Sequence, residues 1–102
     1  MNSNYNSIVF YSSSLSSLSI LPNTDIIAGG DKADTSYLVK LNANGQVVWT
    51  KSYQPVGYTI GRVLGLKGDN FNNVYACGTV KNISGNYDGF VTAFDNNGNV
   101  LW

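Results

Sequence analysis

The sequence predicts an all-β protein built from two tandem copies of one four-stranded antiparallel unit. The first observation is composition: glutamate is absent, and tyrosine, valine, isoleucine and threonine alternate with Asn-Gly and Asp-Asn turn pairs. Such residues favour strands and tight turns over helices. The second observation is an internal repeat, and the third is the number of strand-like runs within each copy.

The repeat is clearest in two segments that end in tryptophan, residues 37–49 and 90–102. In each segment a glycine precedes the tryptophan by four positions. The aligned pairs lie 53 positions apart and are Gly45 with Gly98 and Trp49 with Trp102. Upstream, residues 26–30 align with residues 74–78 at an offset of 48. The difference of five falls in a loop of the second copy, where repeat proteins accommodate insertions.

Each copy divides into four strand-like runs separated by turn-forming residues. The expected strands are 15–21, 26–30, 36–41 and 46–53 in the first copy, and 60–66, 74–79, 89–94 and 99 onward in the second. We interpret Asn44-Gly45 and Asn97-Gly98 as two-residue turns in which both positions tolerate a positive φ. Four antiparallel strands repeated every ~40–50 residues are typical of β-propeller blades. Blade 1 is therefore expected at about 12–53 and blade 2 at about 58–102.

The third strand of the first copy carries apolar residues on both faces. Tyr37, Val39 and Leu41 share one face, and Leu38 lies on the other with Lys40. Such a pattern predicts a strand covered on both sides, as in a blade with a neighbour in front and behind. Lys40 is the exception, and we expect its side chain to extend toward an edge.

The hairpins at 41–49 and 94–102 resemble those of PQQ-like (quinoprotein-like) and related bacterial β-propeller repeats. In those families the tryptophan that follows the turn glycine docks between blades. The resemblance therefore implies structural roles for Trp49 and Trp102, and for the turn glycines Gly45 and Gly98.

The start of the third strand supports the same resemblance in one copy only. Asp88-Gly89-Phe90-Val91 is similar to the corresponding stretch of such repeats, whereas Thr35-Ser36-Tyr37-Leu38 departs from it. Propellers host many functions, so the resemblance implies a fold rather than an activity. Known quinoprotein enzymes draw their cofactor-binding side chains from many blades, so no cofactor is expected here.

Several function classes are excluded or disfavoured. The net charge is zero and the six basic residues are scattered, so nucleic-acid binding is not expected. Histidine is absent and Cys77 is the single cysteine, which excludes Ser-His-Asp and Cys-His catalysis, an internal disulfide and a Cys/His zinc site. Residues 95–99 superficially resemble a calcium loop but are expected to form a turn, so no metal is expected.

The sequence leaves localisation open. No stretch is long and apolar enough to suggest a membrane span. The Asn/Ser/Gly-rich, weakly charged composition favours an extracellular or cell-surface setting.

Ligand contact, if present, is expected on the loops that join the second strand to the third and one copy to the next. In a blade these loops lie on one face of the disc, and loops of this kind often carry binding. The candidate residues are Tyr53, Tyr58, Asn82, Tyr87 and Asp88. Tyrosine rings with amide and carboxylate oxygens suit a sugar or a polar polymer. The alternative is that they are ordinary surface residues.

These observations predict a non-enzymatic structural or interaction module with no catalytic residues. The alternatives are a lectin-like carbohydrate-binding protein and a fragment of a larger propeller. Two blades leave an apolar face bare at each end, so we expect a cyclic homo-oligomer of three or four chains with six or eight blades. The apolar run 7–11 is interpreted as a strand that completes a neighbour's blade. Further partners are a glycan or another protein.

Overall fold

The computed structural model describes residues 7–102, which form seven strands. The strands are β1 (Ser13–Ile20), β2 (Ile26–Lys32), β3 (Thr35–Leu41), β4 (Val47–Tyr53), β5 (Tyr58–Gly68), β6 (Val74–Asn82) and β7 (Tyr87–Phe94). Antiparallel pairing joins β1-β2-β3-β4 into a first sheet and β5-β6-β7 into a second sheet. The predicted all-β class is therefore confirmed. Within the described residues no helix is long and apolar enough to cross a membrane.

A short pairing beyond β7 adds the start of a fourth strand to the second sheet. Phe94 bridges to Val100. The N–H of Leu101 donates to the carbonyl of Ala93 at 2.7 Å, and the N–H of Ala93 donates to the carbonyl of Trp102 at 2.9 Å. In the first sheet, β3 pairs with β4 in the same register, at residues that lie 53 positions earlier in the sequence. The two sheets therefore repeat each other at this edge.

The first hairpin of each sheet contains a β-bulge at matching positions, 48 residues apart. A glycine lies opposite each bulge because the neighbouring backbone leaves no room for a side chain. A Cβ at Gly30 would lie 1.8 Å from the carbonyl oxygen of Ser14, and one at Gly78 would lie 1.9 Å from that of Arg62. The aligned glycines thus mark the same local geometry in both sheets.

An apolar core lies between the two sheets. Its fully buried members are Leu21, Ile27, Leu38, Val63, Val74, Ala76 and Phe94. Strand β5 supplies much of the contact, since it packs against β1, β2 and β3. Burial of each large aliphatic side chain contributes about 1.5–3 kcal/mol relative to exposure. This layer is the main reason that the two sheets remain together.

The opposite face of the first sheet is covered by the N-terminal segment. Ala28, Tyr37, Val39 and Leu41 form a second buried cluster there, and Phe10 packs against it. The Phe10 and Tyr37 rings meet edge to face, with centroids 6.5 Å apart. The run 7–11, expected to be a strand, contains no strand in the structure, because it packs through side chains instead of pairing its backbone.

The predicted two-residue turn between β3 and β4 is wrong. The turn spans Asn42 to Gly45, and only Gly45 has a positive φ, of 81°. The Asn42 side-chain oxygen accepts the N–H groups of Asn44 and Gln46 at 3.0 and 2.9 Å. These bonds stabilise a longer turn in which Asn44 keeps a negative φ.

The turn that begins at Asp95 repeats this arrangement. Its carboxylate accepts the N–H groups of Asn97 and Asn99 at 2.8 and 2.9 Å, and Gly98 has a φ of 84°. The Asn99 N–H, followed by further donors in the turn, lowers the pKa of Asp95. Residues 95–99 therefore form a turn as expected, but the predicted two-residue form at Asn97-Gly98 is wrong for the same reason as at Asn44-Gly45.

Lys40 is buried between the sheets and does not extend toward an edge, in contrast to the prediction. Its ammonium donates to the Asn96 backbone carbonyl at 2.9 Å and also to the Asn96 side-chain oxygen. The Asp25 carboxylate lies 3.4 Å away. These partners replace the water that the charge loses on burial, and they join the first sheet to the second.

We predict that Gly78→Ala lowers the free energy of unfolding by about 2–3 kcal/mol, because the new methyl group would collide with the Arg62 backbone. Gly89→Ala is the matched control, since its Cβ would meet its nearest neighbour at 3.8 Å. We expect that variant to change stability by about 0.5 kcal/mol or less. Urea denaturation followed by circular dichroism compares the two. Equal midpoints would contradict the assigned bulge geometry.

Candidate functional site

A polar cleft of about 130 Å³ opens where the turn between β2 and β3 meets the edge of the second sheet. Its charged and polar lining comes mainly from Asp31, Asp34, Arg62, Lys81 and Tyr87. The first two residues belong to the first sheet and its turn, and the others lie on β5, β6 and β7. The cleft therefore depends on the packing of both sheets.

The turn between β2 and β3 is fixed in place by its backbone. Ala33 and Asp34 both have positive φ values, of 48° and 65°, which gives a tight two-residue connection. The carbonyl of Asp34 accepts the N–H of Gly61 at 2.7 Å. A Cβ at Gly61 would lie 2.6 Å from the Ser36 hydroxyl oxygen, so glycine permits this close approach. The turn is thus bound directly to β5.

Both signs of charge meet in the cleft. The Arg62 Nε lies 3.3 Å from a carboxylate oxygen of Asp31, which links the two sheets. The Arg62 side chain is 59% exposed, so this ion pair adds about 1 kcal/mol or less. The Lys81 ammonium lies over the Tyr87 ring, 5.2 Å from its centroid. Mixed charge around an aromatic ring suits a neutral, hydroxyl-bearing ligand better than a strongly charged one.

Two of the predicted residues meet beside the cleft. The Tyr58 hydroxyl donates to the Asp88 carboxylate at 2.6 Å and so joins the beginning of β5 to β7. This hydrogen bond, with smaller contributions from desolvation and from the Asp88 charge, raises the pKa of Tyr58. The tyrosine therefore keeps its proton, and continues to donate, to a higher pH than an ordinary tyrosine would.

The remaining predicted residues have different surroundings. Tyr87 lines the cleft and is 68% exposed. The Asn82 side-chain oxygen accepts the N–H of Asn86 at 3.0 Å, so this side chain stabilises the turn between β6 and β7. Tyr53 packs edge to face on Phe94, at 5.6 Å between centroids, against the core between the sheets. Tyr53 is thus not brought to the cleft.

Loop-based reasoning did not select Arg62 and Lys81, which lie within strands. Both residues are placed by pairing between β5 and β6, where Ile60 pairs with Lys81 and Arg62 pairs with Thr79. The available signal was charge within otherwise apolar strands, since such side chains need a solvated edge.

The residues with predicted structural roles occupy the hairpins. Trp49 is partly buried against the inter-sheet core. Trp102 is 64% exposed, and its ring lies 6.1 Å from that of Tyr75. Gly45 and Gly98 both occupy positive-φ turn positions. The two tryptophans therefore differ in burial although the sequence aligns them.

Comparison with protein-family models found no match for this chain, and a search of the curated proteins found none either. Among residues 7–102, no group of three or more metal-ligating side chains is clustered.

We predict that Asp88→Asn lowers the pKa of Tyr58 toward the ordinary tyrosine value, because the neutral amide holds the phenol proton less strongly. Tyrosinate absorbance during an alkaline titration measures the shift, and Tyr58→Phe identifies which step belongs to Tyr58. Since the folded pKa is raised, the stabilisation is present below the unfolded pKa and is lost as pH rises through the folded value. An unchanged titration in Asp88→Asn would contradict the contact.

Proposed function

We propose that the chain is a non-enzymatic interaction module, a pair of β-propeller blades that closes into a ring with further copies of itself. The supporting observation is a sequence alignment of two faces. The open face of the second sheet aligns with the face of the first sheet that is buried between the sheets.

The face of the first sheet that packs on the second is called its forward face. Ile27 and Leu38 belong to the inter-sheet core. A Cβ at Gly29 would lie 2.9 Å from a Val63 methyl carbon, so Gly29 belongs to the same face. The forward face is therefore closely packed and, apart from the buried Lys40, apolar.

The aligned residues of the second sheet form its own forward face, which points away from the first sheet. They are Tyr75, Cys77 and Val91, at offsets of 48, 48 and 53. Cys77 pairs with Val91 across the two strands, Val91 is 60% exposed, and the Cys77 side chain is also exposed. An apolar groove of about 310 Å³ includes all three residues. This face has the chemistry of an interface, and no part of residues 7–102 covers it.

The opposite, rear face of each sheet supplies the matching half. In the second sheet Ala76 and Phe94 pack on the first sheet. Their aligned residues Ala28 and Leu41 lie on the rear face of the first sheet, in the cluster that Phe10 covers. A forward face of one copy can therefore pack on a rear face of the next in place of the segment that carries Phe10, which is a heterologous contact. Such contacts close into rings when the rotation permits, and three or four chains would give six or eight blades.

We expect native mass spectrometry to detect a closed assembly of three or four chains rather than the 11.0 kDa monomer. Val91→Lys places a charge in the apolar forward face, so it is expected to yield a folded monomer. Ile83→Lys is the matched control, because Ile83 is 90% exposed in a turn and should leave the assembly intact. A folded parent that stays monomeric at every concentration would overturn the proposal.

Carbohydrate binding in the cleft is the second candidate function. The observation that favours it is the combination of the exposed Tyr87 ring with the Lys81 ammonium and the Asp31 and Asp34 carboxylates. A tyrosine ring offers an apolar surface to the C–H face of a sugar, and the charged groups donate to or accept from its hydroxyls. Tyr58 and Asp88 brace the adjoining strands.

A glycan array probed with the assembled protein tests this second function. If a glycan binds, Tyr87→Ala combined with Tyr58→Ala is expected to weaken it by about tenfold or more, since the stacking ring and its brace are lost. Tyr11→Ala is the control, because Tyr11 is 82% exposed and does not line the cleft. Unchanged affinity in the double variant, or no bound glycan, would remove the proposal.

A further inference from the structure

Trp49 is fixed on the hairpin of the second sheet by two contacts. Its indole Nε1–H donates to the Asn96 carbonyl at 3.0 Å. Its ring lies against Gly98, where an added Cβ would lie 3.2–3.4 Å from three ring atoms. The turn thus provides an indole seat, which we define as a bare positive-φ glycine with an accepting backbone carbonyl two residues before it.

The hairpin of the first sheet has the same elements. Gly45 has a φ of 81°, close to the 84° of Gly98. The Gly45 N–H donates to Asn42 at 3.0 Å, and the Gly98 N–H donates to Asp95 at 3.1 Å. The carbonyl that corresponds to Asn96 belongs to Ala43. Because a carbonyl acceptor does not depend on the side chain, this turn forms a second indole seat, the Gly45 seat.

Among residues 7–102, the indole of Trp102 has no seat. Backbone hydrogen bonding places Trp102 opposite Ala93. Trp49 lies opposite Lys40 in the same way, with both residues 53 positions earlier. The Trp102 ring packs beside Tyr75, a member of the forward face, with the ring planes at 43°. It is nevertheless 64% exposed. Trp102 therefore projects from the second sheet as Trp49 projects from the first.

The Gly45 seat is covered by a smaller side chain. A Cβ at Gly45 would lie 3.1 Å from Ile8 Cδ1. Ile8 is 49% exposed and lies in the N-terminal segment, which forms no strand in the structure. An isoleucine methyl group covers less of the turn than an indole, and it cannot donate to the Ala43 carbonyl. The seat is therefore only partly used within one chain.

We propose that Trp102 of one copy docks on the Gly45 seat of the next copy, displaces Ile8 and donates its Nε1–H to the Ala43 carbonyl. This inference rests on the proposed ring and names the contact that joins its copies. The Gly45 seat is assigned to a second copy because an exposed indole is needed to fill it. In residues 7–102 the only exposed indole is that of Trp102, since Trp49 is packed against the core between the sheets. The rear face beside the seat is also the partner expected for the forward face that carries Trp102.

The test measures the concentration of half-assembly of the full chain by native mass spectrometry and light scattering. Trp102→Ala is expected to raise that concentration by about tenfold or more, as for a central interface tryptophan. Trp102→Phe retains an aromatic ring without the donor and should fall between the parent and Trp102→Ala. Ile83→Ala is the control and should match the parent, because Ile83 is 90% exposed in a turn. Circular dichroism verifies that each variant folds.

The Ile8→Ala variant tests displacement separately, since it frees the seat and is expected to lower the concentration of half-assembly. A weaker or unchanged assembly in Ile8→Ala would overturn the displacement. If the parent assembles and Trp102→Ala assembles equally well, the Trp102 contact is overturned while the ring stands. If the parent remains a folded monomer, both the contact and the proposed function are overturned.

Discussion

The apolar layer between the two sheets is the contact on which the rest of the structure depends. Val63 and Leu38 meet there with no solvent access, and close approach is possible because Gly29 and Gly61 carry no side chains. The layer fixes where the turn between β2 and β3 lies relative to β5. The Arg62–Asp31 ion pair and the polar cleft follow from that placement and do not cause it.

Polar groups then determine how the sheets are aligned at their hairpin ends. The Asn96 backbone carbonyl accepts from both the Lys40 ammonium and the Trp49 indole. An apolar layer tolerates small sliding, because dispersion and hydrophobic contacts are not directional. Two donors that converge on one carbonyl are directional, and sliding of the sheets would break both hydrogen bonds and leave the buried Lys40 ammonium with fewer acceptors. This convergence restricts the pair of sheets to one alignment.

The strands could be predicted because the alternation of apolar and polar residues and the turn-forming residues are local signals. The repeat shows each of these patterns twice in the sequence. What failed depended on distant or side-chain partners. The partners of Lys40 include Asn96, 56 positions away, so burial of the charge was not predictable from the strand alone. The turn at Gly45 was mistaken because the Asn42 side chain selects a longer form. Arg62 lines the cleft and Tyr53 does not, because sheet packing, not loop membership, places them.

The alignment of Lys40 with Ala93 makes the two forward faces chemically unequal. The junction inside the chain contains a buried ammonium with carbonyl and carboxylate partners, whereas the aligned position of the second sheet has only a methyl group. In the proposed ring, junctions with a buried charge and junctions without one would therefore alternate around the circumference. Only the junctions with a charge would also be crossed by the backbone, so the chain and not the single sheet would be the unit that enters or leaves the ring.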